Sequence, residues 1–103
     1  AAQYQRRENE FDFDVVSRRY VAGLTPGEPL RQIFHSQAAA TKGSTNIAGI
    51  SDPAVDALLD VILGARSREE LRTACRALDR VLRAGRYWVP MWYSATHRVA
   101  TWD

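Results

Sequence analysis

The chain has 103 residues, of which 46% are hydrophobic and 25% charged, a composition that fits one small folded unit. Fourteen Lys and Arg against 12 Asp and Glu leave a formal charge of +2, too little for a general attraction to phosphate backbones. The single cysteine, Cys75, excludes an intrachain disulfide and a cysteine-based metal cluster, and no run reaches the roughly 18 apolar residues of a membrane span.

Residues 1–9 suit a helix, with Tyr4 as their one large apolar side chain. Phe11-Asp12-Phe13-Asp14-Val15-Val16 alternates aromatic and acidic residues before becoming continuously apolar, which predicts a strand over residues 11–17. Gly23, Pro26, Gly27 and Pro29 then call for a shaped loop, and loops carried by rigid elements are where binding groups concentrate. Leu30, Ile33 and Phe34 recur at helical spacing, and the small, polar stretch from Ala38 to Asn46 reads as loop.

Asp52-Pro53 opens the clearest element: an acidic cap, a proline at the first helical position, and an apolar stripe of Val55, Leu58, Leu59, Ile62 and Leu63 up to Gly64. Ser67-Arg68-Glu69-Glu70 has the capping-box pattern, and Leu71, Ala74, Cys75, Leu78, Val81 and Leu82 form a second stripe that stops at Gly85. The two helices are expected to pack as a hairpin. Residues 87–93 are rich in strand formers, although Pro90 confines them to an edge or irregular strand, and the alternation of residues 97–102 predicts a last short strand. The expected class is therefore mixed α/β, a helix hairpin packed with short strands.

No constellation points to catalysis. Asp12 and Asp14 share a face of the predicted strand, as an acid and base pair would, but alternation with phenylalanine is the ordinary pattern of a half-exposed strand. His35 and His97 lack a second ligand at zinc spacing, and no G-x-S-x-G elbow positions a serine. Thr41-Lys42-Gly43-Ser44 lacks the glycine spacing and preceding strand of a phosphate loop. Cys75 sits in an apolar stripe, where a small core residue is expected. Arg68, Arg72, Arg76 and Arg83 could meet a nucleic acid, which makes a small basic nucleic-acid-binding domain using helix 67–84 the alternative reading; Glu69, Glu70 and Asp79 on the same helix favour a solvated face. The aromatics Tyr87, Trp88, Trp92 and Tyr93 could stack bases or line a ligand cleft, but core packing of at least half of them is the expectation. Arg18, Arg19 and Tyr20, at the end of the predicted strand and before the Gly/Pro loop, balance binding against structural ion pairing.

Phe11-Asp12-Phe13-Asp14, the loop Thr25-Pro26-Gly27-Glu28, and the run Asn46-Ile47-Ala48-Gly49-Ile50-Ser51-Asp52-Pro53-Ala54-Val55-Asp56-Ala57-Leu58 together resemble the extracellular solute-binding proteins of family 5, the dipeptide/oligopeptide type. The likeness continues through Ser67-Arg68-Glu69-Glu70-Leu71, Arg76-Ala77-Leu78-Asp79-Arg80-Val81-Leu82 and residues 87–92, and is nearest to the oligopeptide and microcin-uptake branch. It implies a two-lobed periplasmic protein that closes on a peptide-like ligand and docks on an inner-membrane ABC permease, with no cofactor and no bond chemistry. The polar opening and abrupt end suit a C-terminal-lobe fragment spanning residues 1–103, completed by the rest of the same polypeptide. Ligand contacts are expected at Arg18, Arg19, Tyr20, Val21, Ala22 and Gly23, the first three from their place at the strand end and Gly23 from the resemblance. Dipeptide binders of this type hold the ligand's α-amino group with an aspartate where this sequence has Gly23, so an arginine recognising a carboxylate or phosphate is the expected substitute.

Overall fold

The computed structural model describes every residue except 21, 22, 24, 97, 98 and 103. The described residues form five helices: α1 (Ala2–Asn9), α2 (Pro29–Phe34), α3 (Ser36–Ala39), α4 (Pro53–Gly64) and α5 (Arg68–Gly85).

The predicted hairpin is the centre of the molecule. Asp52 caps α4 through Oδ1, which accepts the Ala54 N–H at 2.8 Å, and Pro53 occupies the first turn where its missing N–H costs nothing. Ser67 Oγ caps α5 by accepting the Glu70 N–H at 3.1 Å. The Glu70 carboxylate reaches back one residue further than the usual box, to the Arg66 N–H at 2.9 Å. Between the helices lies a small core of Ile50, Val55, Leu59, Ile62, Ala74 and Leu78, with Leu30, Phe34, Leu58, Leu71, Cys75 and Tyr87 packed around it. Cys75 thus belongs to the core margin, as its stripe predicts.

The α/β expectation is overturned. Among the described residues there is no strand: residues 11–17, 87–93 and the described part of 97–102 are neither strand nor helix. A strand exists only through a ladder of hydrogen bonds to a neighbour, and an alternating sequence without one gains nothing from extension. The first of these segments is drawn into the end of α1 instead. Phe11 takes a left-handed φ of 55°, its N–H bonds to the Glu8 carbonyl at 3.1 Å, and the Asp12 N–H bonds to the Arg7 carbonyl at 2.9 Å. Asp12 then pairs with Arg7 at 2.9 Å, which removes it from the conceivable Asp12/Asp14 pair.

The stretch from Ala38 to Asn46, expected as loop, begins inside α3 and ends in a staple. Asn46 is fully buried. Its Oδ1 accepts the Ile50 N–H at 2.9 Å, and its Nδ2 donates to the Ile50 carbonyl at 2.9 Å and to the His35 carbonyl at 3.2 Å. Closing a five-residue loop this tightly requires the left-handed φ of 63° at Gly49. The Asn-x-x-Gly-Ile segment therefore seats Ile50 in the core and delivers the chain to the α4 cap.

The accessible surface is 8885 Å², against about 5,800 Å² for a compact monomer of this mass. The radius of gyration, 15.9 Å, likewise exceeds the roughly 13 Å of a compact domain of this length. Most of the large hydrophobic side chains left exposed lie in the non-helical segments, among them Val15, Val89, Trp92, Tyr93, Val99 and Trp102.

Candidate functional site

Of the residues that the sequence singles out for binding, Arg18, Arg19, Tyr20 and Gly23 are described, and Val21 and Ala22 lie outside the described residues. Segment 18–20 lies between α1 and the beginning of the 87–93 segment, and each fixes one of its ends.

At the first end, the Arg18 guanidinium donates to Glu8 Oε1. Glu8 is the buried residue of α1, with 6% of its side chain exposed. A carboxylate so buried needs a partner of opposite charge, and Arg18 supplies it. The helix itself is tied down by Lys42, which pairs with Glu10 at 3.0 Å, and by the Gly43 N–H, which donates to the Asn9 carbonyl at 3.0 Å. Hydrogen bonding to Lys42, helped by its charge, holds the Glu10 carboxyl below its ordinary value. Lys42 and Gly43 thus belong to a helix tether, not to a phosphate cradle.

At the second end, the Tyr20 ring packs against Trp88, centroids 6.1 Å apart and planes tilted by 56°. Trp88 packs in turn on Phe34, at 5.4 Å and 56°. Phe34 touches the hairpin core, so a continuous row of rings runs from the core to the candidate site. Burial raises the Tyr20 hydroxyl above its ordinary value, Glu8 adding to and Arg18 opposing the shift. Sequence reasoning left Trp88 undecided between core and cleft. No sequence signal separates the two: Trp88 is placed by its contacts with Tyr20 and Phe34.

Arg19 lies between the two anchors, is exposed, and makes no ion pair among the described residues. Gly23 is also exposed and has an ordinary φ. Among the described residues, a β-carbon added there would meet only the Thr25 carbonyl oxygen, at 3.9 Å. The absence of an aspartate at this position is therefore not forced by space or by backbone conformation.

A second polar cluster fixes α3 to α4. Asp56 Oδ1 accepts the Ser36 N–H at 2.9 Å and lies 3.7 Å from His35 Nδ1. That same Nδ1 accepts the Gln37 N–H at 3.1 Å and so caps α3. Among the described residues no group of histidine, cysteine and carboxylate side chains could hold a metal ion, and His97 lies outside them. On α5, Arg83 pairs with Asp79 at 2.9 Å, while Arg68, Arg72 and Arg76 are exposed. Among the described residues no helix is long and apolar enough to cross a membrane.

No family model matches the chain. It is 42% identical over 103 residues to the protein named probable peptide-binding protein YejA of Agrobacterium fabrum, covering 100% of this chain and 17% of that protein. It is 39% identical over 100 residues to peptidoglycan-binding protein YepA of the same organism, covering 97% and 16%. It is 34% identical over 103 residues to YejA of Escherichia coli, covering 99% and 17%. The chain spans about a sixth of the length of these curated relatives, and the similarity runs through all of it, the exposed segments included.

Proposed function

We propose that these 103 residues form part of a periplasmic solute-binding protein of the dipeptide/oligopeptide type, which captures a peptide-like ligand and delivers it to an inner-membrane ABC permease. The observation that carries this reading is whole-chain similarity to much longer proteins, two of them named for binding a peptide or peptidoglycan. The surface supports it, because the area left open beyond that of a compact monomer is what a C-terminal-lobe portion would cover with the rest of its own polypeptide. Its role is recognition without bond chemistry: segment 18–23 contributes to a cleft that closes on the ligand, and the α4–α5 hairpin is the scaffold.

The test is calorimetric titration of the native-length protein with tri-alanine and with a pentapeptide of mixed sequence. Saturable binding of either peptide, largely insensitive to salt between 50 and 500 mM, is the expected result. Failure to bind either, with tight and steeply salt-dependent binding to a DNA duplex instead, would transfer the function to the arginines of α5.

A further inference from the structure

We propose that the outer face of α5 is a docking surface for an anionic lipid bilayer, on which a ladder of arginines meets phosphate headgroups. This role is separate from the capture of a peptide and draws on none of the residues of segment 18–23.

Charge is spread unevenly along the chain. Between residues 66 and 86 lie seven of its 14 Lys and Arg and three of its 12 Asp and Glu, so this stretch carries +4 and the remainder −2. Arg68, Arg72, Arg76 and Arg80 follow one another at four-residue intervals on α5, each one turn and about 40° on from the last. Together they cover roughly a third of the helix circumference over about 18 Å, on the side away from the buried Ala74 and Leu78. All four are exposed, as are Arg66 and Arg86 beyond the two ends of the helix. None of the six makes an ion pair among the described residues. The acidic residues of the same stretch have other places: Glu70 accepts the Arg66 N–H, Glu69 lines the hollow between α4 and α5 with Leu58 and Val61, and Asp79 pairs with Arg83. A row of uncompensated guanidinium groups remains.

The partner follows from what accompanies the ladder. None of the large hydrophobic side chains left exposed among the described residues lies on α5, whereas a folded protein partner buries an apolar centre inside a polar rim. The helix carries no aromatic residue on which a nucleic-acid base could stack. The remainder of the chain is net negative, which works against a polyanion long enough to reach past this one face. A bilayer meets the molecule along one side only, and its headgroups move laterally to wherever the donors stand. Guanidinium forks bind phosphate through paired N–H donors, and a helix face bearing four or more basic residues is the pattern that draws anionic headgroups. Attachment of this kind is peripheral and requires no helix that crosses the membrane.

The experiment is co-sedimentation of the native-length protein with vesicles of phosphatidylcholine alone and with vesicles holding one phosphatidylglycerol for every two phosphatidylcholine molecules, at about 50 and about 500 mM salt. At the lower salt the anionic vesicles are expected to bind tenfold or more tightly than the neutral ones, and at the higher salt the difference should vanish. Each arginine at the surface contributes about fivefold, so the combined change Arg68→Gln, Arg72→Gln, Arg76→Gln, Arg80→Gln should bring binding down to the level of the neutral vesicles. Glutamine suits a helix, so the unfolding midpoint should stay in place. Should that variant fail to fold, the pair Arg68→Gln, Arg72→Gln, expected to weaken binding by tenfold or more, replaces it. Two arginines of α1 changed instead, Arg6→Gln, Arg7→Gln, should alter binding by less than threefold. Equal binding to the two kinds of vesicle, or a preference that survives loss of the ladder, overturns the proposal. So does an α1 pair as damaging as the α5 pair, which would make the attraction general. A DNA duplex held more tightly than the anionic vesicles through the same four arginines overturns it in favour of nucleic acid.

Discussion

Gly85 ends α5 directly beneath the ring of Tyr87, so close that a β-carbon on Gly85 would lie 2.2 Å from the ring's Cε2. Its glycine character serves that approach. The left-handed residue that terminates the helix is the next one, Arg86, at φ 51° and ψ 36°. Two adjacent substitutions should therefore act in opposite directions. Gly85→Ala must displace Tyr87 from the core margin and is expected to destabilise by about 1–3 kcal/mol. Arg86→Gly removes the strain of a β-carbon in the left-handed region and should stabilise by roughly 1 kcal/mol. Urea denaturation of the two variants measures both, and a stabilised Gly85→Ala would contradict the packing.

Asn46 closes its loop with three hydrogen bonds to backbone groups of Ile50 and His35. Asn46→Ala would leave those groups buried without partners, and the expected loss is about 2–4 kcal/mol. Asn46→Asp keeps the acceptor but places a carboxylate beside two carbonyl oxygens, so it should be no better than alanine at neutral pH. A denaturant series on both variants checks the order.

Burial would raise the Asp56 carboxyl, but the hydrogen bonds from Ser36, with the charges of His35 and Arg31, outweigh it and hold the group below its ordinary value of 3.8. A carboxyl depressed by folding contributes stability that is fully present above its unfolded value and is lost as pH falls through its folded one. The contribution of Asp56 should therefore fade below about pH 4 and be constant above it. Asp56→Asn is expected to flatten the decline of the thermal midpoint between pH 4 and pH 2. A decline of unchanged steepness would assign acid sensitivity to other carboxylates.

An aspartate at position 23 should be accommodated, since the site is exposed, its φ is ordinary and its near neighbour is an oxygen at 3.9 Å. Gly23→Asp is expected to change stability by less than about 0.5 kcal/mol. If segment 18–23 lines the ligand cleft, it should also introduce a preference for tri-alanine over N-acetylated tri-alanine, measurable by titration. Unchanged selectivity with unchanged stability would place Gly23 away from the ligand's amino end.

The hairpin was legible because its signals are local: Asp52, Pro53, Ser67 and Glu70 satisfy free backbone groups within a few residues, and both stripes recur at helical spacing. Segments 11–17 and 87–93 were misread because strand formation is not local. Alternation describes a chain ready to pair, and among the described residues nothing pairs with it. The candidate site was legible only in part. Arg18, Arg19 and Tyr20 could be singled out from their position, but their division of labour depends on Glu8 and Trp88, contacts across 10 and 68 positions of sequence that no short-range pattern encodes. Asn46 was hidden for the same reason as any buried polar residue: its type suggests a loop, and only its partners reveal a staple.

The two anchors of segment 18–20 also order events in time. Trp88 follows Glu8 by 80 positions and Tyr20 by 68, so a ribosome must add nearly all of the stretch between the two anchors before the row of rings can close. The hairpin, built from contacts between neighbours in sequence, can form ahead of it. The row of Tyr20, Trp88 and Phe34 should thus be the last contact this region acquires as it folds, and the first it gives up when Trp88 is pulled away.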